Sequence, residues 1–109
     1  MSSDTIHNIV TLVTDEENIG QLIEAFDKFS RHVQAHEPET LLYYSVQPKG
    51  QNQLVIIEKR RYTNEEAWKT HVQSEAFKGF SKALAGILKS PPDIKTSIFS
   101  SGFETRSRM

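Results

Sequence analysis

The 109-residue chain contains no cysteine, which excludes a disulfide framework, a thiolate metal cluster and a cysteine nucleophile. Its net charge is small. Thirteen basic against fourteen acidic side chains give a formal charge of -1, so no large electrostatic attraction to nucleic acid or to an anionic membrane is expected. No stretch approaches the roughly 18 consecutive apolar residues that span a bilayer. The amino end, MSSDTIHNIV, lacks the basic start and long apolar run of a secretory signal. These absences predict a soluble protein with a cytoplasmic home.

What is present is the composition of a globular domain, with 37% hydrophobic and 25% charged residues. The length suits one domain filling residues 1–109, with a core over about 6–103 and a polar tail at 104–109. No short internal repeat or low-complexity block interrupts it.

From Ile6 to Val13, IHNIVTLV is β-branched and alternates imperfectly, as a strand buried on much of both faces does. In the TDEE that follows, Thr14 and Glu17 have capping-box spacing, which predicts a helix beginning there with acids in its first turn. Ile19, Leu22, Ile23, Phe26, Phe29 and Val33 recur on one helical face. Pro38 removes a donor and restricts Glu37, so this helix ends near His36. TLLYYSVQ and QLVIIEKRRY, separated by PKGQN, read as a β-hairpin. A second helical region opens at EEAW with Asn64 as its cap and breaks around Val72 to Ser74. It resumes with Phe77, Phe80, Leu84, Ile87 and Leu88 as its stripe until SPPD.

IKTSIFSSGF closes the chain as a last strand. The order βαββαβ predicts an α+β, ferredoxin-like sandwich, two helices burying their stripes on one face of a four-stranded sheet. Apolar side chains fall on both faces of that sheet, so a homodimer joined through the bare faces is expected.

The EPET turn into LLYYSV, the strand ending at Tyr62, and NEEAWKTHVQSEAFKGF with its spacing of His71, Ser74 and Phe77 resemble the antibiotic biosynthesis monooxygenase family. The resemblance runs from roughly Ile6 to Phe103. It implies a dimeric α/β barrel with a pocket between helices and sheet in each subunit. It also implies a small aromatic partner and dioxygen, with no cofactor and no metal. Family members include oxygenases of phenols, quinols and anthrones, and haem-degrading enzymes; the latter place their haem-ligating histidine where this chain has Ser81. Two departures stand out. Glu39 replaces a glycine frequent in the family turn, and Arg60 replaces a strand glutamate two positions before the aromatic matching Tyr62. Glu58 lies two further back on the same strand face.

His71 has the chemistry for proton transfer at neutral pH, and equally that of a hydrogen-bonded packing residue. An oxygenase without a cofactor needs such a base, because deprotonating an activated phenol or C–H group makes an anion that can reduce dioxygen. Asn8, on the first strand, suits donation to a developing oxyanion, the use made of a first-strand asparagine in the family's oxygenase and haem-degrading members. Otherwise it fills hydrogen bonds at the strand's start.

Trp68, Phe77, Phe80 and Phe99 are candidate walls for a flat aromatic substrate, or plain core. Tyr43, Tyr44 and Tyr62 are better candidates, each a ring with a hydroxyl; Tyr43 and Tyr44 face opposite sides of their strand, so only one meets the helix layer, and Tyr44 and Tyr62 are taken for the wall. Glu58, Lys59, Arg60 and Arg61 alternate in direction, which leaves room for one charged group inside a cleft, or they form a solvated strand end, the usual place of such a run. His32 and His36 are four apart without a third ligand on their face, and read as surface. The expected activity is cofactor-independent monooxygenation of a small aromatic molecule. The alternative is a non-catalytic dimeric protein that binds an aromatic metabolite.

Overall fold

The computed structural model describes residues 5–61 and 65–106, with the backbone alone at 65–68. Its elements are β1 (Thr5–Val13), α1 (Ile19–His36), β2 (Thr40–Val46), β3 (Gln53–Arg61), α2 (Glu65–Gln73), α3 (Glu75–Ala85) and β4 (Asp93–Ser97). The strands form one antiparallel sheet in the order β2-β3-β1-β4, the ferredoxin-like arrangement the sequence predicts. Tyr62 and Asn64 lie outside the described residues, as does the side chain of Trp68.

Register decides which side chains meet the helices. Asn8 pairs with Glu58 on one side and Thr96 on the other, and Glu58 pairs with Tyr43. Cross-strand partners share a face, so these four form one row across the whole sheet. Leu12, Leu54 and Ile56 lie on the same face and bury against Leu22 and Phe26 of α1. Burying each such side chain contributes about 1.5–3 kcal/mol. Tyr43, Phe80 and Leu84 pack around this cluster. Ile23 is 39% exposed, at the margin of the stripe rather than within it.

Three boundaries differ from expectation. Thr14 does not cap α1; its backbone bridges Leu88 and its hydroxyl donates to the carbonyl of Ile87 at 2.5 Å. With Thr14 held by the segment after α3, the chain enters α1 through a 3-10 turn, Glu16–Asn18, that carries the expected acids. The apolar stripe of α3 continues to Leu88, but the helix stops at Ala85, where Gly86 follows. β4 ends at Ser97, opposite His7, and β1 has only Thr5 and Ile6 left to offer. Ile98 to Phe103 therefore leave the sheet, with Gly102 at φ 105° turning the chain. Glu104 is held by Lys59 at 2.6 Å, an ion pair that keeps its carboxyl below the usual range.

The helical region breaks as its sequence predicts. α2 ends at Gln73, and Ser74 caps α3 by accepting the Phe77 N–H at 3.0 Å while donating to the carbonyl of His71. Among the described residues no helix is long and apolar enough to cross a membrane.

Candidate functional site

Between the helices and the sheet lies a cavity of about 610 Å³. The cross-strand row of Tyr43, Glu58, Asn8 and Thr96 crosses its floor, and His71, Phe77 and Phe80 stand on the helical side.

His71 sits in the last turn of α2 and is 5% exposed. Its Nδ1 is 2.5 Å from Oε1 of Glu37, and its ring lies 5.7 Å from that of Phe29 and 5.3 Å from that of Phe77. Glu37 is placed by the end of α1, where its N–H donates to the carbonyl of Val33 at 2.8 Å and Pro38 prevents further helix. A carboxylate accepting from Nδ1–H fixes the tautomer and puts the ring's lone pair on Nε2. Such a ring can take a proton and keep the resulting charge balanced.

The floor is polar and connected. The Asn8 amide donates to Glu58 Oε1 at 2.9 Å, and its carbonyl accepts from the Thr96 hydroxyl at 2.8 Å. Arg60 follows Glu58 on the same face, its Nη1 4.0 Å from Glu58 Oε2. Both side chains are buried, so the reading of the run as a solvated strand end is corrected for Glu58 and Arg60, while Arg61 is exposed. β3 enters the sandwich between two neighbours and carries its alternation, Leu54, Ile56, Glu58, Arg60, to its end. Tyr43 stands beside them. Burial chiefly, then the charges of Glu58 and Glu37, raise its hydroxyl above the ordinary phenol range, with Arg60 acting in the opposite sense. It is a neutral phenol at physiological pH.

Of the residues singled out in the sequence, His71, Asn8, Phe77 and Phe80 line the cavity. Tyr44 does not; it pairs with Ile57 on the opposite sheet face and is exposed, and Tyr43 occupies the helix side instead. Phe99 is half-exposed beyond the end of β4 and also lies off the cavity. Tyr62 falls outside the described residues, and nothing is described of the Trp68 ring. Glu37 is not among the sequence candidates; Tyr43 is one of the three candidate tyrosines, and Glu58 and Arg60 belong to the charge run that leaves room for a group inside a cleft. A period-2 count along β3 puts Glu58 and Arg60 on the face of Leu54 and Ile56, but Val55 and Ile57 make the other face apolar as well, so the count alone does not choose the buried side; no periodicity at all points to Glu37. His32 is half-buried, its Nε2 3.7 Å from Glu37 Oε2, so an acid does stand near the two helical histidines. Among the described residues no group of three such side chains is placed to hold a metal ion.

Solved structures share this fold. A Caulobacter crescentus CB15 protein with a provisional antibiotic biosynthesis monooxygenase name superposes with a TM-score of 0.80 at 20% identity, covering 91% of this chain and 92% of that one. A Nitrosomonas europaea protein with the same provisional name gives 0.76 at 14% identity, covering 97% and 98%. A Bacteroides thetaiotaomicron protein of unknown function, described as a possible oxidoreductase, gives 0.76 at 15%, covering 90% and 100%. At these identities the likeness concerns the fold. No curated protein matches. The sequence profile described as antibiotic biosynthesis monooxygenase matches residues 5–83, from the first strand through the histidine-bearing helix and most of the next. On that match the chain belongs to the antibiotic biosynthesis monooxygenase family.

Proposed function

We propose that this protein is a cofactor-independent monooxygenase that oxidises a small phenol, quinol or anthrone with dioxygen, and that it works as a homodimer. One observation carries the reading: a buried imidazole on the wall of an aromatic-lined cavity, with Nδ1 against the Glu37 carboxylate. His71 Nε2 removes the proton from the phenolic O–H or the activated C–H of the substrate, Glu37 balances the imidazolium, and the same proton is later returned to the peroxide. The carbanion gives its electrons to dioxygen, and the hydroperoxide formed loses water to leave a carbonyl. One oxygen atom ends in the product and the other in water. Phe77 and Phe80 hold the ring by stacking and keep solvent away.

The other sheet face supports the dimer. Ile9, Leu42, Tyr44 and Val46 are exposed there, on strands over which no helix lies on that side among the described residues. A second copy presenting the same patch is a self-complementary cover.

The test is oxygen uptake with anthrone and a reduced naphthoquinol, using ¹⁸O₂ and mass spectrometry. Expected are one labelled oxygen in the product and a loss of about 10²- to 10⁴-fold in kcat for His71→Ala. Equal turnover by wild type and His71→Ala overturns the mechanism. Binding by calorimetry with no product under air leaves the protein as a non-catalytic binder of aromatic metabolites.

A further inference from the structure

Glu58 is buried, its side chain 7% exposed, and it lines the cavity. Its two oxygens are treated differently by the fold. Oε1 accepts the Asn8 amide at 2.9 Å, whereas Oε2 is buried with no hydrogen-bond partner among the described residues. Arg60 Nη1 is near, but 4.0 Å is too long for a hydrogen bond. A buried acceptor left without a donor costs about 1–3 kcal/mol, more for a charged group, and that cost is removed when a donor arrives.

Asn8 is fixed at both ends, by Glu58 and by the Thr96 hydroxyl, so it clamps one side of the carboxylate; the other side stands in a loose ion pair with Arg60, and both residues line the cavity. A carboxylate is acceptor-only. Asn8 and Thr96 are taken up with each other and with Oε1, and the helical wall opposite is Phe77, Phe80 and Leu84, so the counterpart of Oε2 brought by a bound ring is an O–H or N–H on the edge turned to the sheet.

We propose that Glu58 Oε2 is the specificity-determining acceptor of the cavity, selecting aromatic ligands that carry a hydroxyl or N–H on the edge turned to the sheet, over those with an ether or carbonyl there. The assignment rests on the cavity being the ligand site of the proposed function, but it does not depend on turnover. Glu58 contacts the ligand; Asn8 acts through Glu58 and is a positioning residue. The role expected for Asn8, direct donation to an oxyanion, gives way to this one.

The experiment is anaerobic calorimetry with 2,6-dihydroxynaphthalene and its dimethyl ether. Wild type should bind the diol about 10- to 100-fold more tightly, the range for one hydrogen bond to a charged group. In Glu58→Gln the Asn8 N–H keeps the amide oxygen at the Oε1 position, which puts the amide NH₂ where Oε2 was. The preference should then fall to parity or invert toward the ether. Asn8→Ala frees the carboxylate to turn and should weaken the preference without inverting it. Equal affinity of wild type for the two probes, no binding of either, or a diol preference unchanged in Glu58→Gln each overturns the proposal. Turnover of a phenol under air with none of this discrimination would leave the oxygenase reading standing and remove only the Glu58 assignment.

Discussion

Nδ1 of His71 and Oε1 of Glu37 stand 2.5 Å apart across 34 positions of sequence, joining the last turn of α2 to the residue that ends α1. The contact separates two contributions of the carboxylate, orientation and charge. Glu37→Gln keeps an acceptor for Nδ1–H and removes the charge, so about a tenfold loss of kcat is expected with KM little changed. Glu37→Leu removes both and should cost at least 100-fold. Steady-state kinetics on the two variants checks this; equal rates for wild type and Glu37→Leu would show that the carboxylate does nothing for the base.

Alkaline stability should depend on Tyr43. Its hydroxyl is raised from the ordinary value of 10.0 by burial and by the neighbouring carboxylates. Above that pH the unfolded chain gives up the phenolic proton and the folded chain retains it. The folded state then binds more protons, so stability falls as pH rises. Tyr43→Phe should be nearly flat over the same range while keeping the fold. Urea midpoints measured at pH 8, 10 and 11 decide the matter; parallel decline in both proteins would exclude Tyr43 as the cause.

The bare sheet face predicts association. Light scattering should give twice the 12.4 kDa subunit mass. Tyr44→Glu places a charge in the middle of the patch and should yield single subunits with unchanged far-UV circular dichroism. A wild-type mass of one subunit would mean that something other than a second copy covers this face.

Leu22 is fully buried where α1 crosses the sheet. Leu22→Ala should lower unfolding free energy by about 2–5 kcal/mol through lost transfer energy and the cavity left behind. The denaturant midpoint should fall while the slope stays constant.

The architecture was legible because both periods are strong. The helical stripe of Leu22, Phe26, Phe29 and Val33 and the strands on either side of PKGQN leave few other ways to bury so much apolar surface. Alternation also shows that Tyr43 and Tyr44 part company, but not which one goes inward. That choice is made by pairing with Glu58, which is non-local. β3 hides its polar face for a related reason: Val55 and Ile57 make the other face apolar as well, so no contrast marks the side on which Glu58 and Arg60 are buried. At the carboxyl end, IFSSGF has the local preferences of a strand, but β1 has almost no length left to pair with it. Glu37 lay beyond any period, at a helix end whose importance comes from what a distant helix brings to it.

Glu37 precedes a proline, and a residue in that place has few torsional choices. Its backbone, at φ -124° and ψ 78°, is outside the helical basin and held there by the ring that follows. The carboxylate therefore reaches the imidazole with most of its wandering surrendered when the chain first folds, and little freedom remains to be lost when a guest comes in. Under the proposed function the chamber is a mould cast in advance, and speed with a given compound should reflect how well that compound fits the cast rather than how readily the walls rearrange around it.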